Sequence, residues 1–238
     1  MKLGQAGLDG IRCPVCGGTT FGPYRGRANA RCVRCGSKER HRLLALALER
    51  MPIASTGFPV FHFAPERGIQ ELLIARFGDQ YRPADFTPEL YSWSAVRVEP
   101  VDLTQPEPFA PNSVGGYVHS HVFEHLPAPL GPIITEMNAA LVPGGFHMLQ
   151  VPIRAGLTEE DLSPDLSEAE RLRRFGQEDH MRYFGDADLQ ETLLGYFSDM
   201  TMIDVSSFID ADAARAAVVP PGSLTRHTGH SVYLFRKP

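Results

Sequence analysis

The chain has 238 residues, 43% hydrophobic and 21% charged, with a net charge of −5. These values are those of a soluble globular protein; no apolar run is long enough to cross a bilayer, and the N-terminus lacks the apolar core of a secretory leader. The length suits one ordinary domain plus a small module, and the charge is split: residues 1–50 hold ten Lys/Arg against three Asp/Glu, a net +7, which leaves −12 on the rest.

In chain order, the first feature is a pair of Cys-x-x-Cys knuckles, Cys13/Cys16 and Cys32/Cys35, each followed by a glycine. Two such bites separated by a mid-length loop match a tetrahedral, structural zinc site. All four cysteines are used by it, which fits a reducing cytoplasm better than a disulfide scaffold. Ser37-Lys38-Glu39-Arg40-His41-Arg42 then leads into Leu43, Leu44, Leu46 and Leu48, a helix with Ser37 near its N-cap, ended by Met51-Pro52. Residues 53–59 read as a linker, so that a zinc ribbon plus helix (1–52) precedes a larger domain (58–238). In that domain strands are expected at Val60–Ala64, Tyr81–Phe86, Arg97–Val101, Gly116–His121, Phe146–Val151, Met200–Phe208 and Ser231–Arg236. Helices are expected at Gly68–Phe77, Leu130–Leu141 and Asp186–Tyr196, and a charged, helix-prone insertion at 154–174. Alternating strand and helix predicts an α/β fold with a parallel sheet covered on both faces.

Ligands of such sheets bind at the carboxyl ends of the strands, so the strand-to-helix turns carry the chemistry. The turns read His62-Phe63-Ala64-Pro65-Glu66-Arg67-Gly68, Ala84-Asp85-Phe86, Val101-Asp102-Leu103, His121-Val122-Phe123-Glu124-His125-Leu126-Pro127 and Leu141-Val142-Pro143-Gly144-Gly145. In this order they resemble a class I S-adenosylmethionine-dependent methyltransferase of the broad group that acts on small metabolites. The resemblance covers residues 58–238 and implies a Rossmann-like seven-stranded sheet with an antiparallel last strand. It places His62, Ala64, Pro65 and Glu66 in the cofactor loop, Asp85 and Phe86 at the ribose, Asp102 and Leu103 at the adenine, and His121 at the border of cofactor and active site. Asp85 follows Glu66 by 19 residues, close to the separation of about 20 between a nucleotide loop and its ribose carboxylate. The loop departs from the family's Gly-x-Gly-x-Gly run at Ala64 and Glu66, and Gly115 stands where an aspartate is common.

Phe175-Gly176-Gln177-Glu178-Asp179-His180-Met181-Arg182-Tyr183 resembles a segment of the same family that faces the transferred methyl group. It implies His180, together with His121, as catalytic, and Gln177, Asp179 and Arg182 as substrate-binding within a lid at 154–185. Arg40 and His41, at the start of the basic helix, are further expected substrate contacts. His119, His121, Glu124 and His125 also invite a metal reading, which is set aside because the methyltransferase motif accounts for Glu124, His125 and the adjoining Pro127 and no further carboxylate or histidine has a forced spacing. The expected activity is O- or N-methylation of a small, acidic metabolite in the cytoplasm, with S-adenosylmethionine and zinc as cofactors. RNA is the less favoured substrate, a non-methyl use of the same cofactor is a second alternative, and the oligomeric state is left open.

Overall fold

The computed structural model describes residues 10–238. A hairpin of β1 (Phe21–Tyr24) and β2 (Arg27–Cys32) precedes helix α1 (Glu39–Arg50). Then follow β3 (Val60–Phe63), α2 (Arg67–Phe77), β4 (Tyr81–Asp85), the two-residue β5 (Glu99–Pro100), β6 (Val114–Ser120), α3 (Leu130–Ala140) and β7 (Leu141–Gln150). The remainder holds β8 (Ile153–Arg154), β9 (Glu159–Glu160), α4 (Glu168–Phe175), β10 (Arg182–Gly185), α5 (Leu189–Thr192), β11 (Thr201–Ile203), α6 (Ala211–Ala216) and β12 (Tyr233–Arg236).

Seven strands form one sheet in the order β11-β12-β7-β6-β3-β4-β5, in which β12 alone runs antiparallel to its neighbours. This is the expected seven-stranded arrangement. Alternation along each strand feeds two apolar layers. Val60, Val118, Phe146 and Met148 face α1 and α2, whose Leu43, Leu44, Leu46, Ile69, Leu73 and Phe77 close that layer. Phe61, Phe63, Tyr117 and Leu149 face the other way, onto Ile134 and Met137 of α3 and onto Phe197. No described helix is long and apolar enough to cross a membrane.

Several elements differ from their sequence expectations, each for a local reason. Lys38, not Ser37, caps α1: its amide donates to His41 Nδ1 at 3.3 Å, while the Ser37 hydroxyl lies 3.2 Å from both Cys13 Sγ and Cys35 Sγ. Strand β7 starts at Leu141 and absorbs the expected Pro143-Gly144-Gly145 turn as a bulge, with Gly144 at φ +77°. Gly115 sits where a Cβ would come within 2.7 Å of the Phe58 carbonyl oxygen, so the aspartate expected there has no room. The expected strand over Met200–Phe208 stops at Ile203, because the Asp204 carboxylate accepts from the Ser206 amide (2.9 Å) and starts a tight turn. Within 154–174 only the end is helical: Ser167 caps α4 and left-handed Gly176 closes it, whereas β8, β10 and β9 form a small separate sheet. The helix expected at Asp186–Tyr196 breaks into α5 and a 3₁₀ turn at Leu194–Phe197.

The sequence reading missed a buried imidazole pair. His119 of β6 and His147 of β7 are wholly buried with their Nε2 atoms 2.8 Å apart, so one ring donates its N–H to the other's lone pair. Burial pushes His119 down to about 3 and holds His147 well below the ordinary 6.5. Both are therefore neutral when folded, while the unfolded chain takes up protons near 6.5; stability is complete above that value and falls as pH drops from it towards 3. The slope is up to about 1.4 kcal/mol per pH unit for each ring. Urea midpoints measured at about pH 7.5 and about pH 4.5 should show this loss, and His147→Phe should reduce it.

Candidate active site at the carboxyl ends of the sheet

A cavity of about 610 Å³ opens at the carboxyl ends of β3, β4 and β6. Its walls include Ala64 after β3, Asp85 and Phe86 at the end of β4, Asp102 and Leu103 after β5, and His121 and Val122 after β6. The Asp85 carboxylate is held by two donors, the Thr87 amide on one oxygen and the Tyr91 hydroxyl on the other, each at 2.7 Å. Each oxygen keeps a lone pair for a further donor. Phe86 leaves 74% of its surface exposed at the rim, an open aromatic face beside that carboxylate. Asp102 accepts from the Thr104 hydroxyl (2.6 Å) and amide (2.9 Å), and the hydroxyl bond chiefly lowers its pKa.

A second cavity, of about 440 Å³ and mostly polar, adjoins the first and shares Ala64, His121 and His125 with it. Its wall comes from distant stretches: Arg25 and Arg27 of the hairpin, Lys38 and Arg40 at the start of α1, Gln177, and His230 near the C-terminus. Arg27 is committed to Glu39, donating at 2.9 and 3.1 Å. Arg40 keeps a buried Nε without a partner among the described residues.

The residues that separate the cavities are held in unusual backbone. Ala64 and His121 lie in the left-handed region, at φ +49° and +59°, which costs about 1–2 kcal/mol for a residue with a Cβ. His121 Nδ1 is 2.9 Å from Glu124 Oε1, and its Nε2 is buried without a partner among the described residues. Glu124 is wholly buried; burial raises its pKa, but the contact and charge of His121 and the charge of His125 outweigh this and hold it low.

No protein-family profile and no curated protein matches the chain by sequence. Solved structures match by shape. An S-adenosylmethionine-dependent methyltransferase from Mesorhizobium loti superposes with a TM-score of 0.54 at 10% identity, covering 82% of this chain and 98% of that one. Another, from Archaeoglobus fulgidus, has a TM-score of 0.50 at 15% identity over 85% and 95% of the two chains. The fold is that of the S-adenosylmethionine-dependent methyltransferases.

Within this methyltransferase fold the residues expected at the cofactor divide. Ala64, Asp85, Phe86, Asp102, Leu103 and His121 line the larger cavity, whereas His62, Pro65 and Glu66 do not. His62 is wholly buried between the Tyr81 hydroxyl (3.1 Å) and Glu66 (3.0 Å), and Glu66 faces the polar cavity instead. Pro65 is buried in the turn. Among the expected substrate contacts, Arg40 and Gln177 line the polar cavity and Asp179 the larger one. His41 lines neither; burial lowers its pKa to about 4, and Nδ1 caps α1.

Two expectations need larger correction. Arg182 is 1% exposed and donates to the carbonyls of Phe123, Leu126 (2.9 Å) and Ala128 (2.8 Å) and to Glu160 (2.5 Å), so it secures the loop after β6 and has no donor facing substrate. His180 is buried behind that loop and lines neither cavity, with Nε2 2.8 Å from the Gln177 amide nitrogen. Tyr91, His125 and His230 were missed as cavity residues. Tyr91 follows Asp85 by six positions in a loop without periodicity, and nothing near His230 marks it in the sequence.

The four cysteines come together as the knuckle spacing requires. Cys13 Sγ–Cys35 Sγ and Cys16 Sγ–Cys32 Sγ are both 3.7 Å apart, close to the edge of about 3.8 Å for a tetrahedron with metal–sulfur bonds of about 2.3 Å. Burial pushes the Cys16 thiol up to about 12 and raises Cys13; at Cys35 the Ser37 hydroxyl and amide overcome burial and bring the thiol to about 7. Thiols this crowded become thiolates together only around a cation, so the donor set suits a closed metal site.

Proposed function

We propose that the protein is an S-adenosylmethionine-dependent methyltransferase that acts on a small anionic metabolite and carries a structural zinc in its ribbon. The observation that carries this reading is the junction of the two cavities at His121: an apolar space with a held carboxylate at the end of β4 meets a polar space edged with Arg25, Lys38 and Arg40, none of which pairs with a carboxylate among the described residues. Asp85 would accept from the ribose hydroxyls, Phe86 would cover the adenine and Asp102 would meet its amino group. Bound there, the cofactor supplies an electrophilic methyl group. Arg40, Lys38 and Arg25 would draw in and orient an acidic substrate, and enclosure by the hairpin would exclude water. His121, its Nδ1 against Glu124, would take the nucleophile's proton at Nε2, a dyad that fixes both the tautomer and the direction of the ring. A polar space of about 440 Å³ is the size of a small metabolite, which supports that substrate class over RNA.

Calorimetry with S-adenosylhomocysteine tests the reading. Wild type should bind it, and Asp85→Ala should bind about 10- to 100-fold more weakly, the loss of one or two charge-assisted hydrogen bonds. Wild type that binds neither S-adenosylhomocysteine nor S-adenosylmethionine would overturn the proposal.

A further inference from the structure

The loop after β6 and the segment before β10 bring together three side chains that the transfer chemistry above leaves unused as ligands. Glu124, His125 and His180 each present a ligand atom, and all of these lie within 4.8 Å of one another. Their neighbourhood is short of hydrogen-bond partners. Glu124 is wholly buried, and its Oε2 has no partner among the described residues; His180 is 3% exposed, and its Nδ1 has none either. A buried carboxylate oxygen and a buried imidazole nitrogen left unmatched side by side are each destabilising, unless something fills the space between them.

The surroundings are those of ligands held in place. Asp179 Oδ2 lies 3.1 Å from His125 Nδ1 and orients that ring. Gln177 holds Nε2 of His180 at 2.8 Å, and with the amide turned by half a rotation its oxygen accepts from Nε2–H and leaves the Nδ1 lone pair free. The two imidazoles meet edge to face, centroids 4.6 Å apart. The Met181 amide donates to the Glu124 carbonyl at 2.8 Å, and Arg182 grips the carbonyl of Phe123, so the two segments are locked to each other.

We infer that Glu124, His125 and His180 form a second metal site, a mononuclear centre for a divalent transition-metal cation, at the junction of the two cavities. Two imidazoles and one carboxylate suit Mn²⁺, Fe²⁺, Co²⁺ or Zn²⁺ better than Mg²⁺ or Ca²⁺, which prefer oxygen alone. Ligands bonded at about 2.1 Å sit about 3.0–3.4 Å apart, so the three side chains close in slightly by rotation around the ion. The site differs from the histidine cluster that the sequence suggests: His119 belongs to the core pair with His147, and His180, from 55 residues beyond His125, takes its place. His125 lines both cavities and Asp179 the larger one, so the ion's remaining positions face the space where substrate would stand. A substrate oxygen or nitrogen bound there would lose its proton more readily, to the adjacent His121. Only this last consequence rests on the methyltransferase reading; the binding of the ion does not.

Mn²⁺ is the probe, because as a hard ion it does not compete for the four thiolates of the ribbon. The zinc-loaded full chain is titrated with MnCl₂, free Mn²⁺ is followed by its electron paramagnetic resonance, and zinc is counted in parallel, all without cofactor. Wild type should take up one equivalent of Mn²⁺ while keeping its zinc, and His180→Asn should lose it. Asp179→Asn, at an exposed position that leaves the core untouched, should weaken it about 10-fold. No uptake by wild type, equal uptake by all three proteins, or Mn²⁺ bound only with release of zinc would each overturn the inference.

Discussion

Arg42→Met should destabilise the protein by about 3–5 kcal/mol, one of the largest losses available from a single side chain. Arg42 is wholly buried, yet no carboxylate among the described residues pairs with it. Its guanidinium instead donates to four carbonyls: Ala30 (3.0 Å) in the hairpin, Ser37 (2.9 Å) in the second knuckle, and Ala217 (2.6 Å) and Val218 (2.7 Å) at the end of α6. The last two are carbonyls of a helix C-terminus, where a cation is favoured, and the guanidinium also lies 4.9 Å over the Phe21 ring. Methionine fills a similar volume but leaves every one of those acceptors in a dry site. The urea midpoint, read by far-ultraviolet circular dichroism, measures the loss. Arg50→Met, on the exposed end of the same helix, should shift stability by less than about 0.5 kcal/mol. A midpoint for Arg42→Met equal to that of Arg50→Met would mean that water reaches the site and satisfies the carbonyls.

His121→Ala should lower methyl transfer by about 10²- to 10⁴-fold, the range for a positioned general base, while S-adenosylhomocysteine affinity changes by no more than a few fold. The ring lies on the boundary of both cavities with Nε2 unpaired and Nδ1 against a buried carboxylate. Release of S-adenosylhomocysteine, followed with small carboxylate and phosphate compounds as acceptors, reads the rate. The sequence places the same role on His180 as well. Its burial behind the loop leaves it no direct path to a nucleophile, so a variant of His121 with undiminished turnover would remove the proton-transfer assignment from this part of the site.

Short-range pattern made much of this site legible. Asp85, Asp102 and His121 stand at strand ends because strand length follows from two-residue alternation and the turns carry their own signals, and the knuckles encode their closure in their spacing. What escaped was set by contacts between distant segments. Arg182 reads like a substrate-binding cation beside His180, but its partners are carbonyls 54 to 59 residues earlier. Arg42 reads as part of a basic helical face, and its partners lie up to 176 residues away. Glu66 looked like a cofactor contact because its turn follows β3, yet the buried His62 draws its carboxylate towards the other cavity. Polar side chains are promiscuous in sequence, since carbonyls that could accept from them occur at every residue; only the fold chooses among them.

The two cavities draw on different parts of the chain. Except for Asp179, the larger is built from residues between Phe63 and Pro127, whereas the polar one borrows Tyr24, Arg25 and Arg27 from a hairpin that contributes nothing to the larger. On the proposed reading, acceptor selectivity and cofactor binding would thus rest on separate stretches of the chain. Exchanging the β1–β2 turn would then change the acceptor taken by the proposed methyltransferase while the lining of its cofactor cavity stays as it is.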